Sequence, residues 1–585
     1  MREPNVKCFI QPRRDNGKHE QPEAETADGL AALPEPLLLR HGAVVLDPAT
    51  AVAIPGWPAP RSTVYRARTL LVPDDLVHGR LSDVINEVLA QVGMRLVARR
   101  LPEDVDREGF GARLRQRLPR PALLTPLAPQ DGAIPPPTVI DAWVALQTLR
   151  AAADVQHHGL DRRAVSLISL EHLLIGAAIT GSPITQGGGL GGSPITQGGG
   201  ITGPASTDSY LHNGDSRAPV EVCMEAPDWS TTEHCAEEYG RRAVVAVLDT
   251  GVREHSWLGV QADSAAPGGY RANGFVEIDQ AMQDLIRAQA AALGAGGHDL
   301  PRHAIEFPWD VPVTAEPLVG ELDTHTGHGT FIAGIVRQVA PRAKVLSLRI
   351  MHSDGIVYEG DLICALGLLA ERVAAAVSGD MSRMVDVLCL SLGYYSESDA
   401  DRVYSSGLRV VIDELLKLGV AVIAAAGNYA SSRRFYPAAF ATQPPPGQIP
   451  LISVGALNPN GSKALFSDGG HWVTAWAPGA AVISTFPQDV NGSRAPDVRM
   501  RAHPANELPP GHDLPHAREA LDPDDYSSGF AAWSGTSFAA PLLAAHVTKS
   551  LMRAAAEPGS GLRLDVTGPA AATQRVVAAL EELGW

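Results

Sequence analysis

A doubly wound, mostly parallel α/β sheet with helices on both faces, joined to a smaller N-terminal α/β domain, is the fold class this sequence predicts. Two observations carry it. From about residue 219 onward, short runs of Val, Ala, Leu and Ile alternate with longer segments of helical period. A strand without polar alternation is buried on both faces, and repeated strand–helix units place such strands in a parallel sheet. Upstream, at 61–180, a separate strand–helix series is followed by a glycine-rich repeat that cannot form a core.

Residues 1–60 are rich in Pro, charge and small side chains and are expected to be loosely ordered, with a short hairpin at 37–46. Residues 64–72 read as a strand. Leu81, Val84, Ile85, Val88, Leu89 and Val92 share one helical face, Gly93 ends that helix, and 94–101 reads as a second strand. This is a β-α-β unit. Residues 122–127 add a strand, Trp143, Leu146 and Leu149 belong to a further helix, and 165–175 is a short apolar run. The nonapeptide G-S-P-I-T-Q-G-G-G then stands at 181–189 and again at 192–200. Two copies are too few for a solenoid, so 181–215 reads as a flexible tether, or as a processing site between domains.

The second domain spans 216–585. Strands are expected at 243–248, 345–350, 385–390 and 420–425, helices at 361–377 and 408–418, and a turn at Asp354-Gly355. Two stretches interrupt the alternation: 257–320, with a helix at 278–293, and the Pro- and Asp-rich 488–528. Both read as surface excursions that shape access to a cleft.

At 45% hydrophobic and 19% charged residues, a chain of 585 can bury a large core. The net charge of −17 argues against non-specific nucleic-acid binding and against adhesion to anionic membranes. Five cysteines in this length are no disulfide scaffold. Cys364 and Cys389 lie in apolar runs and read as buried thiols; Cys223 and Cys235 could pair in an oxidising compartment. The N-terminal residues lack the apolar core of a secretory signal, and no stretch has the length of a membrane span, so the cytoplasm is the expected location.

The chain's chemistry centres on S-G-T-S-F-A-A-P, residues 534–541. Gly535 permits a tight turn, and Ser537 then stands at the N-terminus of a helix carrying Phe538, Leu542, Leu543, Val547 and Leu551. There free N–H groups and the macrodipole favour developing negative charge. Taken alone, the octet could be an ordinary serine-capped helix. Two partners lie upstream. In V-V-A-V-L-D-T-G-V, residues 244–252, Asp249 ends a buried strand; a cap or turn is its plainer reading. In D-T-H-T-G-H-G-T-F-I-A-G-I, residues 323–335, His328 lies between two glycines that let another group approach closely. His325 lacks that context and is set aside; a metal bound by His325 and His328 finds no third ligand at a sensible spacing.

These motifs, in the order Asp, His, Ser, resemble the subtilisin-like serine proteases (the subtilases) from about 240 to 555, with Ser391-Leu392-Gly393, Ala424 to Asn428, Phe466-Ser467 and Ala477-Pro478-Gly479 adding to the likeness. The resemblance implies a serine endopeptidase acting on protein or peptide substrates through an acyl-enzyme. Ser537 is implied as nucleophile, His328 as general base, and Asp249 as the group fixing the imidazole. Asn428 and the Ser537 N–H would hold the oxyanion. Ser391, Leu392, Gly393, Ala425, Ala426 and Gly427 would bind substrate and wall its first pocket. Phe435, Tyr436 and Pro437 match that pocket's floor; Phe435 would either shorten it or pack in the core. No cofactor is required, and a structural calcium ion is compatible with the family, although no coordination motif names its ligands.

The N-terminal domain lies outside the resemblance. Many subtilases carry a small α/β propeptide that inhibits the active site, and the β-α-β unit suits that role; an adaptor that recruits a partner is the alternative. Docking at the cleft and release by cutting within 181–215 are the corresponding expectations. A subtilase-fold binding module without turnover is the competing function. A sedolisin-like peptidase would need Glu and Asp where this chain has His328 and Asp249.

Overall fold

The computed structural model describes residues 9–10, 33–98, 109–127, 139–178, 217–229, 232–294, 305–316, 321–398, 407–442, 449–490, 499–500, 518–519 and 526–584. The glycine-rich repeats and most of 488–528 lie outside these residues. No helix among them is long and apolar enough to cross a membrane.

The N-terminal part forms an antiparallel sheet from β1 (Thr63–Pro73), β2 (Met94–Val97), β3 (Pro119–Pro126) and β4 (Ser169–Gly176), in the order β4-β1-β3-β2. Helix α1 (Ser82–Ala90) joins β1 to β2, and α2 (Ala142–Asp154) precedes β4. The expected β-α-β unit is therefore split: β3 lies between β1 and β2 and is antiparallel to both. Asp141 caps α2 by accepting from the N–H groups of Trp143 and Val144, and Leu146 and Leu149 turn fully inward. The hairpin expected at 37–46 is instead a helix, Glu35–His41, and a strand, Ala43–Leu46, that pairs with β1. Gly42 separates them in the left-handed conformation, at φ 58°. Leu37, Leu38 and Leu39 are consecutive and mark no period; the helix shows only in the i, i+4 spacing of its buried residues, Leu37 and His41.

The larger sheet contains, in chain order, β5 (Val244–Asp249), β6 (Val276–Ile278), β7 (Lys344–Arg349), β8 (Val387–Leu390), β9 (Ala421–Ala425), β10 (Ile452–Leu457) and β11 (Ala475–Pro478). Their spatial order is β11-β10-β9-β8-β5-β7-β6, all parallel, and Phe9–Ile10 adds an antiparallel edge beside β11. Helix α3 (His328–Val339) packs against α6 (Thr536–Ala556), while α4 (Glu359–Val377) packs against α5 (Gly407–Lys417). Strands β5, β8 and β9 are fully buried, as their unbroken apolar sequences require. The stretch 257–320 is more than a surface excursion. It supplies β6 to the sheet and carries Asp310 into the interior with no exposure. Cys223 and Cys235, which could pair in an oxidising compartment, are both free thiols here.

The two sheets meet through β4. Its first half pairs with β1 of its own sheet, through Leu71↔Ser169 and Leu70↔Leu170. Its second half runs between two strands of the larger domain. Ile175, Leu174 and Leu173 pair with Ile356–Tyr358, and Gly176 and Ile175 pair with Leu392–Tyr395. His172 sits at the crossing, fully buried. Its Nδ1 lies 2.7 Å from Glu359 Oε2, its Nε2 lies 2.8 Å from Glu397 Oε2, and its ring stacks on Tyr394. Burial alone would lower the His172 pKa, but the two carboxylates outweigh it and raise it well above the ordinary histidine value. Glu397 is in turn held down at about 2, its burial outweighed by His172. Nearby, Arg40 bridges Asp323 and Asp354, and His41 Nε2 lies 2.8 Å from Asp354.

Replacing His172 leaves two buried carboxylates uncompensated, so His172→Leu is expected to lower folding stability by about 3–5 kcal/mol. The contribution of the charged pair has a definite pH window. The raised His172 pKa makes it fully present below the unfolded histidine value and lost as pH rises through the folded one. The depressed Glu397 pKa makes it present above the unfolded glutamate value and lost as pH falls through about 2. Urea midpoints for the wild type and His172→Leu, measured across pH, check both statements; equal midpoints at neutral pH would contradict them.

Candidate active site

Three adjacent parallel strands, β5, β8 and β9, end at one edge of the large sheet. Asp249 is the last residue of β5, Ser391 follows β8, and Gly427 and Asn428 follow β9. Crevices beyond the carboxyl ends of such strands bind ligands because the chain's reversals leave space there. His328 opens α3 and Ser537 is the second residue of α6, so two helix N-termini face the same edge.

Asp249 Oδ1 accepts from the Thr250 N–H at 2.8 Å and lies 2.8 Å from His328 Nδ1. That contact places the proton on Nδ1 and leaves Nε2 as the free base; Nε2 is buried and makes no other hydrogen bond among the described residues. Gly329 lets α3 rest on the end of β5, since a Cβ there would stand 2.1 Å from the Gly251 carbonyl oxygen. The imidazole is walled by the rings of Trp533 and Phe538, each centroid 5.5 Å away.

Ser537 Oγ donates to the Ser391 carbonyl at 3.0 Å, and Ser391 Oγ donates back to the Ser537 carbonyl at 2.9 Å. The hydroxyl thus points along the cleft wall rather than at the imidazole. Asn428 is fixed through Thr536, whose N–H and hydroxyl both donate to Asn428 Oδ1 at 2.9 Å. The Asn428 side-chain amide is thereby turned toward the cleft.

The cleft is filled by the end of β4. The Ala177 carbonyl oxygen accepts from the Ser537 N–H at 2.8 Å and from Asn428 Nδ2 at 2.5 Å. Its own N–H donates to Ser391 O at 2.9 Å, and the Gly176 N–H donates to Gly355 O at 2.9 Å. Leu392 and Gly393, expected to bind substrate, pair here with Gly176 and Ile175 of the same chain. The opposite wall, Gly355 and Ile356–Tyr358, was not anticipated; its signal was the Asp354-Gly355 turn followed by three β-formers. Ala425 and Ala426 are fully buried at the end of β9. Phe435 is buried too: its ring lies where a Cβ on Gly393 would stand 2.4 Å from Cε1, and one on Gly427 3.2 Å from Cδ1. Both placements considered for Phe435 hold in part: the ring belongs to the buried core of the large domain and also stands against Gly393 and Gly427. The segment in the cleft is Ala177-Ala178, upstream of the repeats where a cut was expected.

Asp310 was missed by sequence reasoning. Its Oδ2 accepts from the Gly327 N–H at 2.6 Å and from Thr250 Oγ1 at 3.3 Å, and Thr250 Oγ1 in turn accepts from the Gly329 N–H at 3.0 Å. It therefore braces both residues flanking His328. Burial raises the Asp310 pKa to about 6, against the opposing pull of Arg349 and the Gly327 N–H. Among the described residues, one group of possible metal ligands converges: Glu87, His157 and His158, on the N-terminal domain and away from this cleft.

This arrangement sets a carboxylate–imidazole pair and a serine beside two N–H donors at the edge of a parallel sheet, in a fold of the α/β class. The comparisons narrow the class. The family model described as "Subtilase family" matches residues 240–556, more than half of the chain. The chain belongs to the subtilase family. It is 30% identical to subtilisin DY of Bacillus licheniformis over 179 residues, covering 28% of this chain and 55% of that protein. It is also 30% identical to subtilisin E of Bacillus subtilis (strain 168) over 178 residues, covering 29% of this chain and 41% of that protein. The match thus spans about half the length of these relatives or less. A solved cold-adapted subtilisin-like serine proteinase aligns over 62% of this chain and 90% of its own, with 17% identity and a TM-score of 0.30.

With its pKa raised by burial to about 6, Asp310 is expected to bind a proton more tightly in the folded state and so to make stability fall as pH rises from about 4 to about 6, by on the order of 3 kcal/mol. Asp310→Asn, which keeps an acceptor for Gly327 but cannot ionise, is expected to lack that decline. Urea unfolding of both proteins at pH 4, 5, 6 and 7 measures the difference; parallel curves would show that Asp310 does not titrate there.

Proposed function

We infer that this chain is a serine endopeptidase whose N-terminal domain, within residues 33–177, lies in its own active site as an inhibitor, with Ala177-Ala178 as the bond it can cut. One observation carries the reading: the Ala177 carbonyl oxygen is held between the Ser537 N–H and Asn428 Nδ2, where an attacked carbonyl must be. A binding module would not need both donors on one carbonyl at the foot of a serine.

In this reading Ser537 Oγ turns about χ1 from Ser391 O to His328 Nε2, which takes its proton as Oγ attacks the Ala177 carbon. Negative charge grows on an oxygen already bonded by two donors. His328 then protonates the Ala178 nitrogen, the peptide bond breaks, and residues 1–177 form an ester with Ser537. Water, deprotonated by the same imidazole, hydrolyses the ester. Asp249 keeps the imidazole in the required tautomer. The chemistry uses no cofactor; calcium, if bound, would act on stability alone.

Cleavage leaves the domain held by the pairing of β4 with both cleft walls and by the His172 and Arg40 contacts. It would act as a tight product-like inhibitor until unfolded or degraded, which favours inhibition over the adaptor alternative. Phe435, standing against Gly393 and Gly427, suits a small residue such as Ala177 in the first pocket.

Intact mass spectrometry of the purified protein is expected to show fragments 1–177 and 178–585. Ser537→Ala should fold and yield only the full chain. Asn428→Ala should slow the cleavage about 10²–10³-fold, because the donor acts mainly on the developing oxyanion. A Ser537→Ala protein that still cuts at Ala177, or a wild type that cuts only within 181–215, would contradict this assignment.

A further inference from the structure

The inference concerns His325 and rests on the reading that Ala177 carries the attacked carbonyl. His325 is buried at 2% exposure, and its ring lies over Gly176, the residue before Ala177. A Cβ on Gly176 would stand 2.6 Å from both Cδ2 and Nε2 of His325 and 3.2 Å from Met351 Sδ. Gly176 does not have a positive φ and sits in a regular strand, so its backbone would accept any residue. Only the ring above it demands glycine.

The ring has little room to move. A Cβ on Gly355 would be 2.2 Å from His325 Nδ1, so the imidazole is already seated in a groove left by that glycine. The His328 ring lies 5.1 Å away on another side and Trp533 6.4 Å away. Its hydrogen bonds fix it as well: Nδ1 is 3.0 Å from Thr324 Oγ1, and Nε2 is 3.2 Å from the Gly176 carbonyl oxygen. A carbonyl can only accept, so Nε2 carries the proton, and Nδ1 shares the single Thr324 hydroxyl proton with the Asp354 carbonyl oxygen, 3.2 Å from that hydroxyl. Met351, by contrast, is flexible and could yield.

We propose that His325 selects glycine at the residue preceding the cleaved one, donating from Nε2–H to that residue's carbonyl and excluding any side chain there. The substrate class is an extended peptide with apolar residues leading into Gly followed by a small residue, as in Leu174-Ile175-Gly176-Ala177. His325 is a specificity residue: it takes no part in proton transfer to or from Ser537.

The test uses two synthetic peptides, Leu-Leu-Ile-Gly-Ala-Ala-Ile-Thr and its variant with Ala in place of Gly, with the processed wild type and His325→Ala after the bound 1–177 fragment has been degraded by an added protease, as followed by intact mass. The wild type is expected to favour the Gly peptide at least tenfold, up to about 100-fold, in kcat/KM, the range that excess atoms in a closed pocket produce. His325→Ala should cleave the Ala peptide faster than the wild type does, a gain that misfolding cannot produce. A wild type that cleaves both within threefold, or a His325→Ala that cleaves the Gly peptide without gaining on the Ala peptide, overturns the proposal. A second measurement is independent of turnover. In full-length Ser537→Ala, adding Gly176→Ala should raise amide hydrogen exchange at 174–178 about tenfold, and adding His325→Ala should reverse it. No rise with Gly176→Ala, or no reversal, also overturns the proposal. Absence of cleavage of either peptide by the wild type, with the exchange pattern intact, would count against the peptidase reading while upholding the role of His325.

Discussion

One strand belongs to two sheets, and much of the molecule's organisation depends on that. Residues Ser169–Gly176 complete the N-terminal sheet with their first half and bridge the two walls of the cleft with their second. A strand pairing on both edges satisfies its backbone groups without water, and side chains then need only be small or apolar. Leu173 and Leu174 are buried accordingly. The register is fixed at the far end by Ala177, whose carbonyl has two donors waiting. A slip of one residue would move that carbonyl off both donors and send His172 to the wrong face.

The interface around this strand carries several charged groups. His172 between Glu359 and Glu397 is a buried triad, and half-buried Arg40 sits between the buried carboxylates of Asp323 and Asp354. Desolvating such groups costs about as much as their attraction returns, so they add little net adhesion. They add discrimination: each is satisfied in only one arrangement of the two parts. Apolar packing supplies the adhesion, for instance where Pro121 lies so close to α4 that a Cβ on Gly360 would be 2.3 Å from its Cγ.

Sequence reasoning found what depends on local pattern. The all-apolar strands of the large sheet, the helices on its faces, and the residues Asp249, His328, Asn428 and Ser537 at strand ends and helix starts each had a local signature. What it missed depends on distant contacts. No local feature of Ile175-Gly176-Ala177-Ala178 distinguishes it from the end of any apolar strand, so attention fell on the glycine-rich repeats instead. Asp310 sits in a stretch of irregular sequence, and only the folded chain brings it to Gly327 and Thr250. His325 was set aside because it lacks flanking glycines; the glycine that accommodates it, Gly355, is thirty residues away in the chain and in contact with its ring. The helix Glu35–His41 was mistaken for part of a hairpin because its three leucines, Leu37 to Leu39, are consecutive and mark no period.

The position of the Ser537 hydroxyl links the occupied cleft to its restraint. Ser391 O accepts from both Ser537 Oγ and the Ala177 N–H, so the same carbonyl holds the peptide and the nucleophile. A carbonyl oxygen has two lone pairs and can satisfy both, which leaves His328 Nε2 without a donor while the strand is in place. Leaving a buried acceptor unpaired costs about 1–3 kcal/mol, and rotation of Ser537 toward His328 recovers it while forfeiting the bond to Ser391. The two orientations are therefore close in energy, and on the reading proposed above attack would call for one side-chain rotation within a cleft whose other groups are already held by hydrogen bonds. A site arranged in this way can hold its own chain as a poised substrate and then as a bound product without rebuilding the walls that grip it.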